Sequence, residues 1–181
     1  MNKKIRWITE TAIMLALLVA LQALTSSMGQ IVTGSCVNAV LGISVLMSGL
    51  ASGLVVALVS PVMAFLLGIA PQIITVPAIM AGNAIFVVLL HFMADRNGKN
   101  LVKQIVALAV AAVAKFAVLY LIVVKVVCGM MSESLIAAGT MKPSMVAALT
   151  AKFSWPQLIT ALIGGAIALI VAPVVRRALK K

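Results

Sequence analysis

Acidic side chains are nearly missing from this chain. Of its 181 residues only Glu10, Asp95 and Glu133 carry a carboxylate, and His91 is the single histidine. That poverty excludes most hydrolytic and acid–base chemistry, which needs paired carboxylates, a metal site, or a Ser/His or Cys/His arrangement. Cys36 and Cys128 lack metal-ligand spacing, and one imidazole leaves no partner for a zinc site, so neither a metal nor a cofactor is expected. No Gly-x-x-x-x-Gly-Lys-Ser/Thr run occurs, so a phosphate-cradling loop is absent too. Aromatics make up 4% of the chain, which argues against a pocket built to stack on a large flat ring. The apolar runs are continuous rather than alternating, which excludes a β-barrel.

What the chain has is hydrophobicity, 64% of it, punctuated by positive charge. Fourteen Lys and Arg give a formal net charge of +11, which in a soluble protein would suggest nucleic acid as a partner. Here the cations flank apolar spans instead of lining one face, so membrane lipid headgroups account for them and no nucleic-acid partner is expected. Ten fall in three clusters: Lys3, Lys4 and Arg6; Arg96, Lys99 and Lys103; Arg176, Arg177, Lys180 and Lys181. Cytoplasmic loops collect Lys and Arg, so all three clusters belong on one side of a membrane.

Membrane helices need about 20 apolar residues. Spans are expected over 7–24, 73–93, 101–127 and 155–175, with 31–70 too long for one helix and suited to two, 31–48 and 53–70. An even number of helices must separate the first two basic clusters, which four satisfies. The expected fold is an all-α integral membrane protein, residues 1–181 forming a single domain: a bundle of six transmembrane helices with both termini cytoplasmic. The basic start followed by apolar residues also resembles a secretory signal peptide, and is read here as the first helix. No repeat of one half in the other argues for an inverted-repeat transporter. Gly49 and Gly53 suit a tight hairpin between the second and third helices.

The connectors expected outside carry polar and turn-forming residues: 25–34 is polar and glycine-flexible, 68–77 holds Pro71, Gln72, Thr75 and Pro77, and 129–154 is long. Inside, 95–100 is a short turn. Cys36 and Cys128 fall near outer ends, either bridged or as two thiols.

Within the spans, polar residues are candidates by depth. Lys115 lies about midway along the fifth helix, where an ionised lysine costs about 2.5–3.5 kcal/mol on insertion scales. It requires either an anionic ligand group or hydrogen bonds to Asn83 and helix carbonyls. Asn83 either bridges helices or reads a substrate, since an unpartnered buried amide is costly. Lys125 can meet a ligand or snorkel to headgroups. Gln30, Gln72, Gln157 and Thr160 gather at the outer mouth; Asn38 reads as structural and His91 as interfacial. Tyr120 and Trp155 can stack on a ring, and Trp155 equally suits an interfacial anchor. The lysines of the outer half, with few aromatics, favour a small anionic acid of the pantothenate, niacin or lipoate kind.

Ala12, Ala16 and Ala20 form a shallow stripe on the first helix, suited to close approach of another helix or to internal packing. With this stripe, its size, its topology and its long outer connectors, the chain resembles the substrate-binding S component of an energy-coupling factor (ECF) vitamin transporter over essentially its whole length. The resemblance implies a substrate site in the outer half, docking of the stripe against a membrane coupling subunit, and two cytoplasmic ATPases that drive transport. It implies a binding subunit rather than an enzyme. The competing readings are an autonomous small-solute carrier or channel and, further off, a small membrane enzyme.

Overall fold

The computed structural model describes residues 2–69, 72–95 and 100–179. Pro71, Arg96, Lys99, Lys180 and Lys181, which entered the reasoning on turns and topology, lie outside the described residues. The described chain is all helical: α1 (Lys3–Thr25), α2 (Gln30–Ser48), α3 (Leu50–Leu66), α4 (Val76–Met93), α5 (Leu101–Leu119, continued by Tyr120–Met130), α6 (Ser132–Ala137), α7 (Pro143–Lys152) and α8 (Trp155–Leu179). Five helical stretches among the described residues are long and apolar enough to cross a membrane: Lys4–Met28, Gln30–Ser48, Ile73–Met93, Leu101–Met130 and Pro143–Ala178. The remaining apolar helix, α3, has 17 residues, at the lower limit for a span.

Element boundaries depart from expectation where turn chemistry overrides composition. The break between α2 and α3 is confined to Gly49, whose φ of 93° is a conformation that glycine adopts without strain. Its N–H donates to the Val45 carbonyl (3.1 Å), closing α2 as α3 begins at Leu50. The segment 25–34 is not a flexible loop: a single 3₁₀ turn, Ser26–Met28, leads through Gly29 into α2, and Thr33 Oγ1 donates to the Thr25 carbonyl (2.6 Å). The long connector 129–154 carries α6 and α7 rather than open loop. The fifth helix runs past 127 because its turns widen to π-helical spacing over Tyr120–Met130, with Met131 N–H still reaching the Val126 carbonyl (2.9 Å). Cys36 and Cys128 are free thiols.

The core is aliphatic, with Leu41, Val45, Val56, Phe86, Val87 and Leu90 among its fully buried members. Helix α2 runs through the centre and packs most extensively on α8. A Cβ on Gly164 would collide with the Ser35 carbonyl, so α2 and α8 approach to backbone contact only because that side chain is absent. By contrast α1 is peripheral, with Ile8, Ile13, Leu17 and Leu24 exposed. Such exposure is what a lipid-facing helix presents.

The start of α1 and the end of α8 reach the same end of the bundle, here the terminal end. Arg176 donates to the Leu46 carbonyl at the C-terminus of α2, a favourable position for a cation. Close by, Arg6 Nε donates to Glu10 Oε1 (2.7 Å) and Ser48 Oγ to Glu10 Oε2 (2.8 Å), tying α1 to the α2–α3 hairpin. One turn deeper, Ser52 Oγ lies between Thr11 Oγ1 (2.9 Å) and Ser44 Oγ (3.1 Å). At the opposite, distal end, Gln72 Nε2 donates to Met145 Sδ (2.9 Å), holding α7 over the bundle.

Candidate functional site

A cavity of about 100 Å³ lies in the distal half, between α1, α2, α3, α4, α5 and the α7–α8 connection. Its centre is Lys115, buried at 3% exposure in α5. The ammonium donates to Asn38 Oδ1 (2.6 Å) from α2 and to Asn83 Oδ1 (2.7 Å) from α4. It also lies 5.5 Å from the centroid of the Phe86 ring, an added electrostatic attraction. Two neutral acceptors hold the cation, and a third ammonium donor remains.

Each asparagine is turned toward Lys115 by a bond on its other end. Asn38 Nδ2 donates to the Gly34 carbonyl one turn earlier in α2 (2.8 Å) and approaches Thr160 Oγ1 of α8 (3.4 Å). Asn83 is oriented by a proline. Pro61, inside α3, has no N–H to donate to the Ala57 carbonyl four residues back. Asn83 Nδ2 supplies that missing donor, reaching Ala57 O at 3.4 Å. A freed backbone acceptor within apolar surroundings must find a partner, and finding it fixes the amide with its oxygen on Lys115.

Around this centre the cavity is lined by Gln22 of α1, Gln30 and Thr33 of α2, and apolar side chains that include Val37, Ile79 and Leu119. Lys152 and Phe153 at the end of α7, and Gln157 at the start of α8, line it as well. Gln157 Nε2 donates to the Lys152 carbonyl (3.2 Å), and Thr160 Oγ1 to the Gln157 carbonyl (3.1 Å). Gln22 Oε1 is buried without a hydrogen-bond partner among the described residues. Among the described residues no acidic side chain lines the cavity.

Of the substrate-binding candidates from the sequence, Lys115, Asn83, Gln30 and Gln157 come together here. Gln72, Tyr120, Lys125 and Trp155 do not line the cavity. Trp155 is exposed and stacks on Phe116 (centroids 5.7 Å apart, 17° between planes), while Lys125 Nζ sits 5.6 Å from the Tyr120 ring centroid. Gln72 is engaged with Met145. Sequence reasoning missed Gln22, Thr33, Lys152 and Phe153 as lining residues, and took Asn38 as structural only. Pro61 carried the one available signal, since a proline within an apolar span implies a freed carbonyl and hence a side-chain donor nearby.

On the outer side of α1, Ala12, Ala16 and Ala20 are exposed. With Leu15, Val19, Ala23 and Met63 they line a shallow apolar groove between α1 and α3. Among the described residues no group of three or more His, Cys, Asp or Glu side chains is placed to hold a metal ion.

The model of one protein family, described as the ECF transporter, substrate-specific component, matches residues 6–176. Comparison with curated proteins and with solved structures finds no match. The helical membrane architecture, the polar cavity within it and the near-complete family match agree: the chain belongs to the substrate-specific components of ECF transporters, multi-pass membrane subunits that bind a substrate for transport and are not themselves enzymes.

Proposed function

We propose that the protein captures a small anionic, vitamin-like acid in the distal cavity and presents it to an ATP-driven coupling module for uptake. The observation that carries this reading is Lys115: a cation buried at 3% exposure, held by two amide oxygens, with no carboxylate lining its cavity. A ligand carboxylate or phosphate at the third donor would make a charge-assisted hydrogen bond in a water-poor setting, the strong kind of polar contact. Gln30, Asn83 and Gln157 are the supporting polar contacts. Gln72, Tyr120, Lys125 and Trp155 remain candidates for the entry route, since the distal end would form the mouth.

Six spans, with α3 as a short one, and both termini in the cytoplasm of a prokaryotic cell make the distal end extracellular. Lys4, Arg6, Lys103, Arg176 and Arg177 on the terminal side support that orientation. The groove along Ala12, Ala16 and Ala20 is the proposed dock for a membrane coupling subunit, with two cytoplasmic ATPases supplying the energy.

A thermal-shift screen of the purified protein against vitamins and their acid precursors tests the reading. A bound acid at 100 times its Kd stabilises the protein by about 2.7 kcal/mol, and Lys115→Met removes that gain. Stabilisation by neutral or cationic compounds alone, indifferent to Lys115→Met, would overturn it. Uptake into cells with the ATPases disabled would instead favour an autonomous carrier.

A further inference from the structure

The cavity contains a second cation that the reading above does not use. Lys152, in the last turn of α7, lines the same space as Lys115 and is only partly exposed. Its ammonium has no hydrogen-bond or ion-pair partner among the described residues. The three carboxylates of the chain are placed elsewhere. Glu10 is taken by Arg6 and Ser48; Asp95 Oδ2 accepts from the Asn100 N–H (2.8 Å); Glu133 is exposed on α6. A further sign of incompleteness is Gln22 Oε1, a buried acceptor without a donor that faces the same cavity.

Two cations around one small cavity with no carboxylate among the described residues repel each other and forgo solvation, a cost that opposite charge offsets. Resting on the proposed binding of an acid at Lys115, we infer that the substrate carries two anionic groups, one received by Lys115 and one by Lys152. Its body lies against Val37, Ile79, Leu119 and Phe153, and it offers a hydrogen-bond donor to Gln22 Oε1. The class is a dicarboxylate or a carboxylate bearing a second acidic group, rather than a simple monoacid. Because Lys152 and Phe153 sit at the junction of α7 and α8, the second anionic group would also hold α7 down over the occupied cavity. Ligand charge and closure of the distal end are thereby linked.

Matched pairs of small molecules separate this from the simpler reading. The straight-chain dicarboxylates from succinate to suberate, and the monomethyl ester of each, are titrated against the full chain in nanodiscs by thermal shift and calorimetry. At least one diacid binds about tenfold or more tighter than its own monoester, as expected for loss of one partly buried charge pair. Lys152→Gln abolishes that difference by weakening the diacid far more than its monoester, whereas Lys115→Gln weakens both. Lys152 lies at a helix end and is partly exposed, so Lys152→Arg serves as the folded control and retains the preference. If no diacid outbinds its monoester, or if Lys152→Gln lowers both equally, the inference is overturned. Monoesters that still bind in a Lys115-dependent manner would leave the anion-capture reading standing, so the two failures are distinguishable.

Discussion

The two ends of this bundle bury polar side chains in opposite ways. At the terminal end, Glu10, Thr11, Ser44, Ser48 and Ser52 satisfy one another across α1, α2 and α3. At the distal end, Lys115 keeps a donor in hand, Lys152 stands without a counter-charge among the described residues, and Gln22 Oε1 accepts nothing. Thr11, Ser44 and Ser52 at one end and Lys115 at the other are buried, where an unmet polar group is expensive. A closed network is a structural fastening. An open one leaves donors and acceptors for a ligand, and the proposed substrate is what would complete it here.

The largest expected effect comes from breaking the frame on which both ends depend. Gly164→Val forces a side chain into the α2 backbone at Ser35, and an overpacked contact of this kind costs about 1–3 kcal/mol or more, read as a lowered Tm and loss of monodisperse protein. Next is the open end. Asn38→Leu strips one of two acceptors from Lys115 and costs about 3 kcal/mol, because it leaves a buried charge under-compensated. Adding Lys115→Met to that variant recovers most of the loss, which a merely structural amide would not show. Thermal unfolding of the two single variants and the double measures that coupling.

The closed end should respond more modestly and without selectivity. Ser52→Ala costs about 1–2 kcal/mol of stability as Thr11 and Ser44 lose their shared partner, while ligand affinity stays the same. Pro61→Ala gives the smallest change in stability, within about 1 kcal/mol, since the restored N–H satisfies Ala57 in place of Asn83. It weakens acid binding a few-fold nonetheless, because Asn83 is no longer held with its oxygen on Lys115. Calorimetry on this variant therefore separates orientation from bulk stability.

How far this was legible in the sequence follows from which contacts are local. Apolar runs of span length and the basic clusters are patterns along the chain, so the helices near 7–24, 31–48, 73–93 and 155–175 could be read directly. The α2–α3 hairpin could be read from Gly49. Lys115 and Asn83 stood out because a charge and an amide in lipid-depth sequence require partners. Asn38 could not be ranked, because nothing in α2 alone tells that α5 brings a cation to it. Lys152 and Phe153 were hidden for a different reason: 129–154 has a connector's composition, and only its folding into α6 and α7 sets these residues over the cavity. The π-helical turns of Tyr120–Met130 likewise leave no compositional trace. Tyr120, Lys125 and Trp155, which do not line the cavity, share their residue types with ligand contacts, and helix rotation, which composition fixes poorly in an all-apolar span, decides between the two.

The most direct test of the central claim is a structure of the protein with its bound solute. An acidic oxygen of the solute should lie about 2.7–2.9 Å from Lys115 Nζ, with the bonds to Asn38 and Asn83 intact. A solute seated in the cavity while Lys115 touches only those two asparagines, or one bound instead against Tyr120 and Trp155, would contradict the account.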